Sequence, residues 1–251
     1  MHTEWSYDAK RGSMEESCAR ALELGLPAIA FTDHADFVKI HSDQHCVDIA
    51  GYLDAVERCR ARFTGMRILS GVELGEPHWF PEETAAVLAA GPLDNVLGSV
   101  HCVKIDRELV DASQFGDREG LDVAAATRDY YHELLAMLEA GQPFEALAHL
   151  DYPKRYWTAY REKDYEEEIR EVLKSAVRTG RVLEVNTTRG DRLCPDLSVV
   201  RWWRELGGQA VQYGSDAHSP DRVAEGFRVA TQMVESAGFK PARDPVSVWR
   251  R

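Results

Sequence analysis

The chain has 251 residues, 44% of them hydrophobic and 29% charged, which suits one large globular domain and excludes collagen-like, low-complexity and disordered classes. Thirty Lys and Arg against 42 Asp and Glu give a formal charge of −12. That argues against a broad nucleic-acid or anionic-membrane surface but not against anionic substrates, whose charge divalent cations would meet locally.

The predicted elements alternate between short apolar strands and amphipathic helices. A capping box, Ser13 with Glu16 three residues on, opens a first helix whose apolar positions are Cys18, Ala21, Leu22 and Leu26. Strands are expected over 27–31, 67–72, 95–100, 144–148, 181–185 and 209–213. The helices between them are expected over 48–63, after Pro81, and over 119–140, 164–179 and 195–206, with a last one starting at Ser219-Pro220. This order predicts a parallel sheet with right-handed crossovers. With Met1–Thr3 as a further strand the count is seven, and a single barrel-like domain over 1–251 is expected.

No apolar run approaches the roughly 18 residues of a membrane span. The first residues carry no signal-peptide pattern. The five cysteines (Cys18, Cys46, Cys59, Cys102, Cys194) are scattered and without C-x-x-C spacing, as in a cytoplasmic protein with reduced thiols.

The chemistry concentrates at strand ends. His34, Glu73, His101, His149, Asp216 and His218 each follow a predicted strand. In parallel α/β folds those ends form the site face. Imidazole and carboxylate are ligands for zinc, manganese or iron. One such histidine alone is usually structural; six groups in one mouth would repel or go unsatisfied without cations.

The pattern resembles the polymerase-and-histidinol-phosphatase (PHP) family of metal-dependent phosphoesterases. The matching stretches are His2-Thr3-Glu4-Trp5-Ser6, Thr32-Asp33-His34, Gly71-Val72-Glu73, Gly98-Ser99-Val100-His101, Ala148-His149-Leu150-Asp151 and Gly214-Ser215-Asp216-Ala217-His218. The stretch from Trp5 to Asp8, the run Gly-Ser-Asp-Ala-His-Ser-Pro and the length resemble the histidinol-phosphatase branch. The resemblance implies a distorted (β/α)₇ barrel with two or three divalent metals. Carried over by position, His2, Glu73 and Asp216 would hold one metal. Asp8, His34 and His218 would hold a second; Asp8 stands where many relatives have histidine and would favour a harder ion. Glu73 would be shared with a third, together with His101 and His149. The family pattern begins D-x-H-x-H, and Met1 falls between the two histidines, so the start of the first strand is expected to be missing. The Met1 amine or a water would then take the absent ligand's place.

The implied reaction is hydrolysis of a phosphomonoester, histidinol phosphate first, by attack of a metal-bridging hydroxide, as part of histidine biosynthesis. Glu73, Asp216 and Asp33 are the candidate catalytic residues. Asp33 or Asp151 would pass protons, or else orient a neighbouring histidine. The phosphate would meet Arg155 and one of Arg189 and Arg192. The expected partner is a small phosphorylated metabolite, with no nucleic-acid polymer and no membrane. Two other readings stay open: a PHP phosphoesterase on nucleotides or other small phosphomonoesters, and a catalytically impaired metal-binding domain. His41, His45 and His78 are expected in loops that leave strand ends, at the surface or else touching substrate, and His132 in a helix. Tyr130-Tyr131 and Trp202-Trp203 are expected to pack helices.

Overall fold

A computed structural model describes residues 1–38, 47–188, 190, 192–244 and 246–251. His41, His45, Cys46 and Arg189 lie outside the described residues.

The first helix starts where its capping box places it. Ser13 Oγ accepts from the Glu16 amide at 3.3 Å, and α1 runs over Met14–Glu23. The first two strand-forming stretches are each broken in two: β1 (Ala28–Ala30) continues into β2 (Asp33–Asp36), and β3 (Arg67–Leu69) into β4 (Gly71–Gly75). β1 pairs with β3, and β2 with β4, all in parallel. Both breaks are held by Tyr52 on α2 (Ile49–Arg62). Its buried hydroxyl donates to the Phe31 carbonyl at 2.9 Å and accepts from the Gly71 amide at 2.8 Å.

After α3 (Pro81–Ala89) and β5 (Asn95–Ser99) comes an antiparallel hairpin, β6 (Cys102–Ile105) with β7 (Glu108–Asp111), not expected from the sequence. The long helix α4 covers Val123–Glu139, and begins after its cap Asp122 rather than at Glu119. β8 (Ala146–Leu147), α5 (Glu166–Arg178), β9 (Val182–Asn186), α6 (Leu197–Glu205) and β10 (Ala210–Gly214) follow in the expected order. The last helix departs from expectation. Ser219-Pro220 opens only a 3₁₀ turn, and α7 starts at Phe227 and ends at Ser236. A short strand β11 (Trp249–Arg250) pairs antiparallel with β10.

The main sheet runs β11-β10-β9-β8-β5-β4-β2, parallel except at β11. Met1–Thr3 does not form the expected strand, yet it ties the two ends of this sheet. The Thr32 amide donates to Met1 O and the His2 amide to Ala217 O, both at 2.9 Å. The helices bury their apolar faces outside: Trp203, Tyr130, Tyr131 and Leu134 are fully covered. Each large apolar side chain so buried contributes about 1.5–3 kcal/mol. The described cysteines, Cys18, Cys59, Cys102 and Cys194, are buried and unbridged. Among the described residues no helix is long and apolar enough to cross a membrane.

Candidate metal centre

Strand alternation decides which side chains meet. In β2, His34 and Asp36 lie on one face; in β4, Glu73 stands opposite His34. His34 and Glu73 therefore sit within strands, not just after them as the sequence suggested. His101 and His149 follow β5 and β8 by two residues, and Asp216 and His218 follow β10. His149 (φ 22°) and Asp216 (φ 48°) adopt left-handed backbone, a conformation that costs a non-glycine residue about 1–3 kcal/mol and clusters at functional sites.

Glu73 is the hub. Its Oε1 lies 2.9 Å from His149 Nε2 and 3.2 Å from His101 Nε2, and its Oε2 lies 3.6 Å from His2 Nε2. His2 Nε2 is also 2.9 Å from Asp216 Oδ1. Asp8 Oδ2 meets His218 Nε2 at 2.9 Å and His34 Nε2 at 3.5 Å. The His218 Nδ1–H donates to the Asp216 carbonyl at 2.9 Å, which leaves Nε2 as the ring nitrogen turned to Asp8. All eight expected ligands thus come to one mouth. Four sets (His2/Glu73/Asp216, Glu73/His101/His149, His2/His34/His218 and His34/Asp36/His101) each keep their ligand atoms within 4.8 Å of one another.

Charge and burial are unbalanced here in a way that suits cations. His2, Glu73, His149 and Asp216 are buried, and the His2 and His34 rings stack at 4.2 Å. Burial, then the neighbouring His34 and His218, pushes His2 down to about 3, so its ring is neutral. Burial opposes ionisation of Glu73, but His149 and His34 outweigh it and hold the carboxyl well below the usual range. Asp216 is held low in the same way, against burial, by Arg155 and His2. Burial pulls His101 down, yet Asp36 and Glu73 outweigh it and lift the ring to about 9. The Nδ1 atoms of His34, His101 and His149 are buried without a hydrogen-bond partner. A dense set of buried imidazoles and ionised carboxylates at this spacing fits divalent cations.

Arg155 stands at the rim. Nη1 donates to Asp216 Oδ2 at 2.7 Å, while Nε and Nη2 are buried with no partner. A cavity of about 450 Å³ adjoins it, walled by Thr188, His218, Arg222 and Glu225. Arg192 is not on that wall; its Nη2 lies 3.5 Å from the Trp157 carbonyl. The Met1 amine does not reach the cluster either: it donates to Ala30 O at 3.2 Å and Thr32 Oγ1 at 3.1 Å. Asp33 is fully buried, and accepts from Thr3 N at 2.5 Å and Thr3 Oγ1 at 2.9 Å. Burial pushes it up to about 6, against those two bonds. Burial likewise lifts Asp151 to about 6; it is ion-paired with Lys154 at 3.4 Å. His78, expected at the surface, is instead largely covered and 2.9 Å from Glu133. His132 is exposed on α4.

Three carboxylates escaped the sequence reading. Asp36 shares the inward face of β2. Glu76 accepts from the His101 and Cys102 amides at 2.5 and 2.8 Å, and burial lifts it to about 7. Glu184 on β9 accepts from the His149 amide at 2.8 Å, and burial raises it. Gly214 makes room for it: a Cβ there would lie 1.9 Å from Glu184 Oε1. Strand alternation would have found Asp36, two residues after His34.

A family model described as the PHP domain matches residues 1–188. The chain belongs to the PHP family. A relative from Clostridium acetobutylicum, named "Probable histidinol-phosphatase", is 29% identical, with 96% of this chain and 93% of the relative covered. The histidinol-phosphatase of Lactococcus lactis is 28% identical, with 95% of this chain and 90% of the relative covered. The crystal structure of a Lactococcus lactis histidinol phosphate phosphatase, complexed with zinc, L-histidinol and phosphate, superposes with a TM-score of 0.80 at 23% identity. That superposition covers 96% of this chain and 92% of the other, and the α/β barrel-like PHP fold is common to both.

Proposed function

We propose that the chain is a metal-dependent phosphomonoesterase that converts histidinol phosphate and water into histidinol and inorganic phosphate, a step of histidine biosynthesis in the cytoplasm. The observation that carries the reading is the sharing of Glu73 by His2, His101 and His149 beside an arginine with two unengaged donors. The names of relatives that match nearly the whole chain support the choice of substrate.

His2, Glu73 and Asp216 would hold one cation, Asp8, His34 and His218 a second, and Glu73, His101 and His149 a third. Zinc, manganese or iron suits these donors, at two or three per chain. Such ions, when bound, neutralise phosphate charge and lower the pKa of a water. The residues around them bind and orient. Arg155 Nε and Nη2 would receive two phosphate oxygens in a planar fork. Arg222 shares that cavity wall and is the second arginine there among the described residues; Arg189 is carried as the alternative. Glu225 lines the same rim and is paired with Arg222 at 2.6 Å. Asp33, with both oxygens on Thr3, would act by holding the His2 segment in place. In the reaction the water oxygen bonds to phosphorus as the phosphorus–oxygen ester bond breaks, and the departing alkoxide takes up a proton.

The whole of 1–251 is read as one domain. The function itself is tested by phosphate release from a panel (histidinol phosphate, mononucleotides and other phosphomonoesters) with added manganese or zinc. Preferred turnover of histidinol phosphate is expected. Preference for a nucleotide would overturn the substrate, and no turnover at all would favour a non-catalytic domain.

A further inference from the structure

Asp36 lies between two histidines that belong to different cation groups. Its Oδ2 is 3.7 Å from His34 Nδ1 and 3.6 Å from His101 Nδ1. The Nε2 atoms of the same rings face the other way, to Asp8 at 3.5 Å and Glu73 at 3.2 Å. The two rings meet edge-on, with centroids 5.4 Å apart. Both Nδ1 atoms are buried and lack a hydrogen-bond partner. One carboxylate oxygen thus stands just outside hydrogen-bond range of both, and a shift of a few tenths of an ångström closes either contact.

The carboxylate is held there from two sides. The Tyr7 hydroxyl donates to Asp36 Oδ2 at 3.1 Å. Across the β2–β4 register Asp36 faces Gly75, and a Cβ on Gly75 would sit 2.1 Å from Asp36 Oδ1. The absence of a side chain on Gly75 is what leaves the space.

We infer that Asp36, braced by Tyr7 and accommodated by Gly75, is a positioning residue shared by two cation sites. It keeps the proton on Nδ1 of His34 and of His101, so that both Nε2 lone pairs point into the mouth. The inference rests on the reading that these rings ligate cations.

The test is cation affinity, measured without turnover by chelator competition with manganese and with zinc, on the wild type, Asp36→Asn and Tyr7→Phe. Loss of an outer carboxylate on a ligating histidine weakens binding about 10–100-fold. Asp36→Asn should therefore weaken two ions together, where a change confined to one site would weaken one. In the zinc-loaded protein the downfield Nδ1–H proton resonances of His34 and His101 should both shift, and kcat should fall more than KM rises. Tyr7→Phe keeps the carboxylate and should give the same changes in smaller measure, and it decides the matter where Asp36→Asn does not fold. Gly75→Ala, which displaces the carboxylate, should mimic Asp36→Asn. Wild-type affinity and unshifted resonances in these variants would overturn the inference and leave the phosphatase reading standing. A wild type that binds no cation would overturn both.

Discussion

Replacing Arg155 with alanine separates substrate binding from metal binding. The side chain is buried; Nη1 donates to Asp216 at 2.7 Å, and the guanidinium lies over the Tyr152 ring at 5.1 Å. Nε and Nη2 are buried without a hydrogen-bond partner, and the proposal assigns them to phosphate. A hydrogen bond to a charged group is worth about 1.5–3 kcal/mol. Two such bonds at the lower end amount to about 3 kcal/mol, or about 150-fold in kcat/KM. The loss should fall mainly on KM, because the contact is made before the bond to phosphorus changes. Metal content should hold, since Asp216 keeps His2 at 2.9 Å and Asn186 at 3.3 Å. Arg155→Lys should recover only part of the loss, because an ammonium lacks the planar fork. The assay is steady-state phosphate release from histidinol phosphate, with metals counted by emission spectroscopy on the same samples. A kcat/KM within about threefold of wild type, or metal lost in step with activity, would refute the assignment.

Other outcomes follow from the same geometry. Glu73→Gln removes the carboxylate common to two cation groups, so it should lower the metal count per chain and cut kcat by more than about 100-fold; full occupancy with normal turnover would contradict the shared role. Asp33→Asn should cost about 1–3 kcal/mol in denaturant unfolding and lower kcat, because Thr3 loses a buried acceptor; an unchanged midpoint and rate would count against its hold on the His2 segment. Stability against pH gives a signed test. Against burial, Asp36 and Glu73 raise His101 from 6.5 to about 9 in the folded chain. Its stabilising effect in chelator-stripped protein is therefore complete below pH 6.5 and lost as pH rises through 9. Cation binding needs the neutral ring, so the rise in Tm on adding manganese should grow across that window. A flat or shrinking rise would exclude His101 as a ligand.

The sequence carried much of this because its signals were chemical and local. Ser13 with Glu16, and the histidines or acids at the end of each apolar run, marked the first helix and the site face. What stayed hidden depends on contacts distant in sequence. Ser70 reads as part of a continuous strand and Phe31 as the end of one, and only the Tyr52 hydroxyl, between the Phe31 carbonyl and the Gly71 amide, shows why the first strand resumes at Asp33 and the second breaks. The β6–β7 hairpin is short and half exposed, and its pattern is too weak to register. Ser219-Pro220 is a sound helix opening by local rules, yet Gly226, in left-handed conformation just before Phe227, resets the start of α7. Glu184 and Glu76 accept from the backbone amides of His149 and His101, and nothing local announces such pairings. Arg192 sits where the sequence allowed, but its guanidinium turns to Trp157.

The central claim is that these imidazoles and carboxylates meet around cations at one end of the barrel. Anomalous scattering at the zinc edge from crystals grown with zinc tests it most directly. The account expects peaks about 2.0–2.2 Å from the donor atoms, one among His2, Glu73 and Asp216 and one among Glu73, His101 and His149. Zinc found only elsewhere on the chain, with those side chains in place and no peak between them, would contradict it.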